Sequence, residues 1–168
     1  GLLRTRRTDL VGILHGIDVQ SWNPATDEHL PYRFSARDLQ GKRDNKIRLL
    51  ESLQLPVEPE VPLYCWNAPL REDQGFGLLE SIAGDLLGGR MKLFVLGHGE
   101  PRWEALVYRL TELFPYKFAW SREPSPALTR LALAGSDFCL VLPRREACGQ
   151  MQMRAMRYGA VPTVHATG

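Results

Sequence analysis

The stretch KLFVLGHGEPRWEALVYRLTELFPYKFAW, residues 92–120, sets two short apolar runs on either side of an amphipathic one. Lys92–Leu96 is five residues of strand-forming character, closed by the turn Gly97-His98-Gly99-Glu100. Pro101 fits the first turn of a helix, where its missing N–H is not needed. Trp103, Leu106, Val107, Leu110, Leu113 and Phe114 then recur at helical spacing, and Tyr116–Trp120 returns to strand character. A strand, a crossover helix and a second strand make a βαβ unit, whose strands run parallel.

The same alternation extends both ways. Leu63–Trp66 predicts a strand. Leu78, Leu79, Ile82, Ala83, Leu86 and Leu87 predict a helix stopped by a terminal glycine at Gly88-Gly89. Downstream, Ser125 and Pro126 form an N-cap and first-turn pair for a helix reaching Ala134. Asp137–Leu142 reads as a strand, 149–158 as a helix and Ala160–Val164 as a last strand. The fold class is therefore α/β: a Rossmann-like parallel sheet with helices on both faces.

Upstream, the apolar run Leu10–Ile17 predicts a buried strand, residues 18–34 a long ordered loop, and Lys46–Leu53 a helix. The prolines between Pro56 and Pro62 forbid helix and central strand. The expected organisation is a segment 1–55 of strand, loop and helix, a Pro-rich linker 56–62, and a sheet domain 63–168. The chain stops at Ala166-Thr167-Gly168, directly after a strand, which is expected of a cut inside a larger protein.

The 168 residues, 44% hydrophobic and 24% charged, suit one core-forming domain and exclude a disordered tail. A net charge of +2 gives no electrostatic case for nucleic acid or an anionic membrane, and no apolar run approaches the ~18–20 residues that span a bilayer. Cys65, Cys139 and Cys148, an odd number without C-x-x-C spacing, point to a reducing, intracellular and soluble setting. Cys139 reads as core packing. The four histidines lack metal-ligand spacing, so no zinc site is expected.

Ligands of open parallel sheets lie beyond the carboxyl ends of the strands. Two turns there carry chemistry. Gly97-His98-Gly99 sits where a strand hands over to a helix; its glycines either let N–H groups approach a phosphate or simply make a tight turn. Arg102 occupies the place of the third small residue of a dinucleotide fingerprint, so a nicotinamide reading fails. Glu146-Ala147-Cys148-Gly149 enters the next helix. There the carboxylate either accepts from sugar hydroxyls beside N–H groups free for phosphate, or complements the helix dipole.

Taken in order, these motifs resemble the bacterial glycogen synthases and plant starch synthases. The resemblance rests on Leu10-Val-Gly-Ile-Leu-His-Gly-Ile-Asp18, Trp22-Asn-Pro-Ala-Thr-Asp27, Phe34–Leu39, Leu96-Gly-His-Gly-Glu-Pro101, Ala134–Asp137, Glu146–Gly149 and Gln152–Pro162. It implies the C-terminal, donor-binding domain of a two-domain GT-B retaining glycosyltransferase, which moves glucose from ADP-glucose to the non-reducing end of an α-1,4-glucan. It implies no cofactor or metal, and a location in the bacterial cytoplasm or a plastid. The implied partners are the nucleotide sugar, the glucan and an N-terminal domain that this segment lacks.

By the same resemblance Glu146 is the donor-glucose contact, the catalytic-site carboxylate of this segment. Gly97, His98, Gly99, Cys148, Gly149, Gln150 and His15 line the substrate and nucleotide site. The family's arginine and lysine that neutralise the leaving diphosphate fall on Pro69 and Gln74, with Arg71 the nearest substitute cation. The family's adenine-side aromatic and neighbouring histidine become Pro124 and Arg130, and Arg154 stands where an aromatic is usual. Losing a preorganised donor costs about 10²–10³ in rate, so an impaired or inactive transferase is expected; the alternative is a non-catalytic glucan-binding or scaffold protein.

Overall fold

A computed structural model describes residues 2–167. A short helix α1 (Leu2–Thr5) and a 3₁₀ turn (Arg7–Asp9) come first, then a long irregular segment, then α2 (Gln40–Ser52). The alternating part follows as β1 (Leu63–Asn67), a 3₁₀ turn (Glu72–Gln74), α3 (Phe76–Gly88), β2 (Lys92–Leu96) and α4 (Pro101–Leu113). It continues through β3 (Phe118–Ser121), α5 (Pro126–Gly135), β4 (Phe138–Val141), α6 (Gln150–Arg157) and β5 (Val161–Val164). The five strands form one parallel sheet in the order β3-β2-β1-β4-β5.

Period-two alternation along the central strands explains two cores rather than one. Leu63 and Cys65 of β1 and Phe94 and Leu96 of β2 face a cluster with Leu49 and Leu50 of α2, Leu131–Ala134 of α5 and Ala155 of α6. Trp66, Leu93 and Val95 face the opposite cluster, built on Phe76, Leu79 and Leu87 of α3 and Trp103, Val107 and Leu110 of α4. Every residue of β2 is buried, as a strand covered on both faces must be. The Ser125 hydroxyl accepts from the Leu128 N–H at 3.1 Å, capping α5 as its sequence requires.

Three lysines, Lys46 and Lys92 buried and Lys42 half-buried, join the elements. Lys42 Nζ donates to the carbonyls of Ala134, Ser136 and Tyr158 at 2.9–3.0 Å, and so closes the C-terminal ends of α5 and α6 together. Lys46 Nζ reaches Pro59 O at 2.7 Å and Asp137 Oδ2 at 2.6 Å. Lys92 Nζ reaches Pro56 O and Glu58 Oε2, both at 2.7 Å. The proline segment is therefore tied down, and α2 belongs to the same core as the sheet.

One expectation is corrected. Leu10–Ile17 forms no strand: Val11 and Ile13 are 85% and 83% exposed, and the run pairs with none of the five strands. It makes no ladder with either edge of the sheet, although Leu14 comes beside the edge strand β5 in a pocket shared with Val164. The helix α3 does stop at Gly88-Gly89, with Gly89 extended (φ −70°) rather than left-handed. No helix among the described residues is long and apolar enough to cross a membrane.

Candidate functional site

In this strand order the chain leaves β1 toward β2 on one side and returns to β4 on the other, so the sheet opens a crevice at the carboxyl ends of β1 and β4. The loop after β1 (68–75) and the loop after β4 (142–149) form its walls. They are knitted together: the Arg144 N–H donates to Asp73 O at 2.7 Å, and the Arg144 guanidinium donates to Glu72 Oε1 at 2.5 Å.

Glu146 lies at the head of α6 in a pocket of about 130 Å³, with Cys148, Gly149, Gln152, His165, Thr167 and Leu14 among its walls. That is below the ~300–1,000 Å³ of a whole-ligand site, so it has the size of a subsite within the open crevice. Glu146 Oε1 accepts from the N–H groups of Cys148 at 3.2 Å and Gly149 at 3.0 Å. The Gly149 N–H expected to be free for a phosphate is thus taken by this carboxylate. His165 Nδ1 faces Pro143 O at 3.1 Å, and donation there leaves Nε2 as the acceptor nitrogen.

The glycine turn after β2 has a steric cause. A Cβ on Gly97 would stand 2.3 Å from Ala68 O, and one on Gly99 2.2 Å from Leu70 O. Leu70 N donates to His98 O at 3.0 Å and Glu100 N to Leu70 O at 2.9 Å, so the turn carries the loop after β1 against its backbone. The Gly99 N–H goes to Glu104 Oε1 at 3.2 Å, a contact that with Arg122 lowers the Glu104 pKa. Gly97, His98 and Gly99 do not line the Glu146 pocket.

Other expected residues are placed as follows. Arg71 is bound by Asp73 through two contacts of 3.1 Å and lies outside the pocket, so it supplies no cation there. Pro69 and Pro124 are exposed, and Gln74 closes the 3₁₀ turn of the β1 loop. His15 is exposed and lines no part of the pocket; its neighbour Leu14 does. Gln150 Nε2 donates to Gly16 O at 3.4 Å, while its Oε1 accepts from Arg154. No lysine or arginine lines the Glu146 pocket among the described residues, and no group of three His, Cys, Asp or Glu there is placed to hold a metal ion.

Arg130 turns toward the 18–34 loop. It donates to Ser21 O at 2.7 Å and to Tyr158 Oη at 2.8 Å, stands 3.4 Å from Asp27, and covers the Trp22 ring at 3.5 Å. Arg154 lies over the same ring at 4.2 Å, and burial together with Arg130 lowers its pKa. Tyr158 donates to Asp27, and its pKa is raised by burial and by that carboxylate. This Trp22 cluster escaped sequence reading because its members lie more than a hundred residues apart. A signal was present in the two arginines that replace ring-bearing side chains.

A parallel five-stranded sheet with helices on both faces is the Rossmann-like domain architecture of GT-B glycosyltransferases. The glycogen synthase of Anaeromyxobacter sp. (strain Fw109-5) is 42% identical over 167 residues, 99% of this chain and 35% of the relative. Starch synthase 1 of Arabidopsis thaliana is 38% identical over 168 residues, 99% of this chain and 26% of the relative. Among solved structures, the catalytic domain of Arabidopsis thaliana starch synthase IV, bound to ADP and acarbose, superposes with a TM-score of 0.90 at 32% identity, covering 99% of this chain and 35% of that one. The C-terminal domain of a group 1 glycosyl transferase (LpcC) from Francisella tularensis shares the fold, with a TM-score of 0.58 at 13% identity over 89% of this chain and 70% of that one. No family model matches. The chain belongs to the glycogen and starch synthase family, and it spans about a third or less of the length of the curated relatives it matches.

Proposed function

We propose that this chain is the donor-binding part of a glucan synthase, built to hold ADP-glucose for transfer to the non-reducing end of an α-1,4-glucan and impaired in that transfer. One observation carries the reading: Glu146 lines a small subsite at the head of α6, and among the described residues no lysine or arginine lines it; Arg144, in the adjoining cavity that shares Val164 and His165, is held by Glu72. Glucose hydroxyls meet a carboxylate; the leaving diphosphate meets Pro69 and Gln74. Departure of a diphosphate builds negative charge that fixed cations normally offset, and Arg71, held by Asp73, is not preorganised to do so. The remaining groups of such a site come from the N-terminal glycosyltransferase domain that completes a GT-B cleft.

The test is transfer of radiolabelled ADP-glucose to glycogen by the full-length protein, alone and as the double variant Pro69→Arg with Gln74→Lys. The expected result is turnover at least ~10²-fold below ordinary family members, recovered in part by the double variant. Unmodified turnover equal to theirs overturns the impairment. The lack of a lysine or arginine around Glu146 among the described residues also fits a second, non-catalytic reading, a glucan-binding scaffold. It requires co-sedimentation with glycogen and no heat of binding from ADP-glucose.

A further inference from the structure

Cys65 and Cys139 are 74 positions apart, so nothing in their spacing marks them as a pair, yet the sheet makes them direct register partners on β1 and β4. Adjacent strands lie about 4.8 Å apart, inside the ~4.4–6.8 Å Cα separation that a disulfide spans. Paired residues of parallel strands point to one face, and both side chains lie in the same apolar cluster. Each thiol acts on the other: Cys139 lowers the pKa of Cys65, and Cys65 together with burial raises that of Cys139. The ammonium of Lys42 acts on Cys65 in the same sense.

Their position in the ladder matters more than their proximity. The β1–β4 pairing has only the rungs Tyr64↔Phe138 and Cys65↔Cys139, whereas β1–β2 runs through to Asn67↔Leu96. The cysteines are therefore the last rung before the strands part to form the crevice. We propose that Cys65 and Cys139 are a redox pair, whose disulfide staples β1 to β4 at the floor of the ligand crevice. This goes beyond the transferase reading and does not depend on it.

The oxidant is a peroxide. The Cys65 thiolate attacks one peroxide oxygen, giving a sulfenic acid and releasing water once the departing hydroxide takes a proton. The Cys139 sulfur then attacks the sulfenic sulfur; the S–S bond forms and a second water leaves. Two thiols lose two hydrogens and two electrons, and one peroxide becomes two waters. Both thiols are almost wholly buried, so the reaction follows local parting of the short ladder and is slower than oxidation of the more open Cys148.

The experiment takes the chain as a Cys148→Ser variant, to remove the third thiol, and compares it under reductant and after hydrogen peroxide. The expected product is lighter by two hydrogen atoms, with a peptide joining Cys65 to Cys139, and is restored by a dithiol. It melts roughly 5–15 °C higher than the reduced form. Cys139→Ser in the same background loses the mass change; because the main readout is made on a chain with both cysteines, a folding failure of that variant changes nothing. Two alkylatable thiols after peroxide and denaturation, or stable sulfinic acid without a cross-link, overturns the proposal.

Discussion

Lys42 shows how one side chain decides the ends of two helices. Its ammonium is the common partner of three carbonyls, and burial holds its pKa down to about 8 from the usual lysine value, with Asp137 acting in the opposite sense. A folded-state pKa below the unfolded one means the unfolded chain keeps the proton longer. This group's contribution to stability therefore rises with pH across the window from about 8 to about 10.5. The Lys42→Met variant is expected to lose about 1–3 kcal/mol at pH 7, because three buried acceptors lose their donor. It also lacks the rise, so the gap to the parent widens by a further ~2–3 kcal/mol by pH 10. Urea midpoints of both proteins at the two pH values measure this; a gap that is flat or narrows refutes the assignment. Sequence reading could place Glu146 beside Cys148 and Gly149, since loop order and helix start are local. It could not foresee that the carboxylate takes the Gly149 N–H, or that Arg130 faces Trp22, because those are matters of side-chain direction across distant loops.

At the level of the element, glycines with different surroundings respond in opposite ways. Gly99→Ala puts a methyl carbon 2.2 Å from Leu70 O and under 3 Å from two further backbone atoms of Leu70. Backbone cannot swing aside as a side-chain end can, so a loss of about 2 kcal/mol or more is expected. Gly84 lies within α3 with nothing inside 4 Å of an added Cβ, and Gly84→Ala should stabilise by roughly 0.4–1 kcal/mol. Thermal melts of the two variants should move in opposite directions; a shared direction discredits the packing argument. Elements were legible wherever a period repeated, as along α4, and wherever a cap was spelled out, as at Ser125-Pro126. Leu10–Ile17 differs because a short apolar run interrupted by Gly12, His15 and Gly16 carries no clear period, and strand identity depends on a neighbour supplied from elsewhere in the chain.

Across the whole molecule, stability is concentrated where both faces of the sheet are covered. Hydrogen exchange is expected to be slowest at the amides of Leu93–Leu96 and fast throughout 10–17, with the 18–34 loop between them through its anchors on Arg130 and Arg157. Protection of residues 10–17 equal to that of β2 contradicts this distribution. The loop after β1 draws its shape from the main chain of Ala68 and Leu70 lying on the glycine turn, with no call on the side chains at 69 and 74. A lineage can thus drift to neutral residues at those two places without any penalty in folding, and nothing in the scaffold selects against the change. Ancestry then stays readable in the outline of such a protein whichever residues stand at those two places.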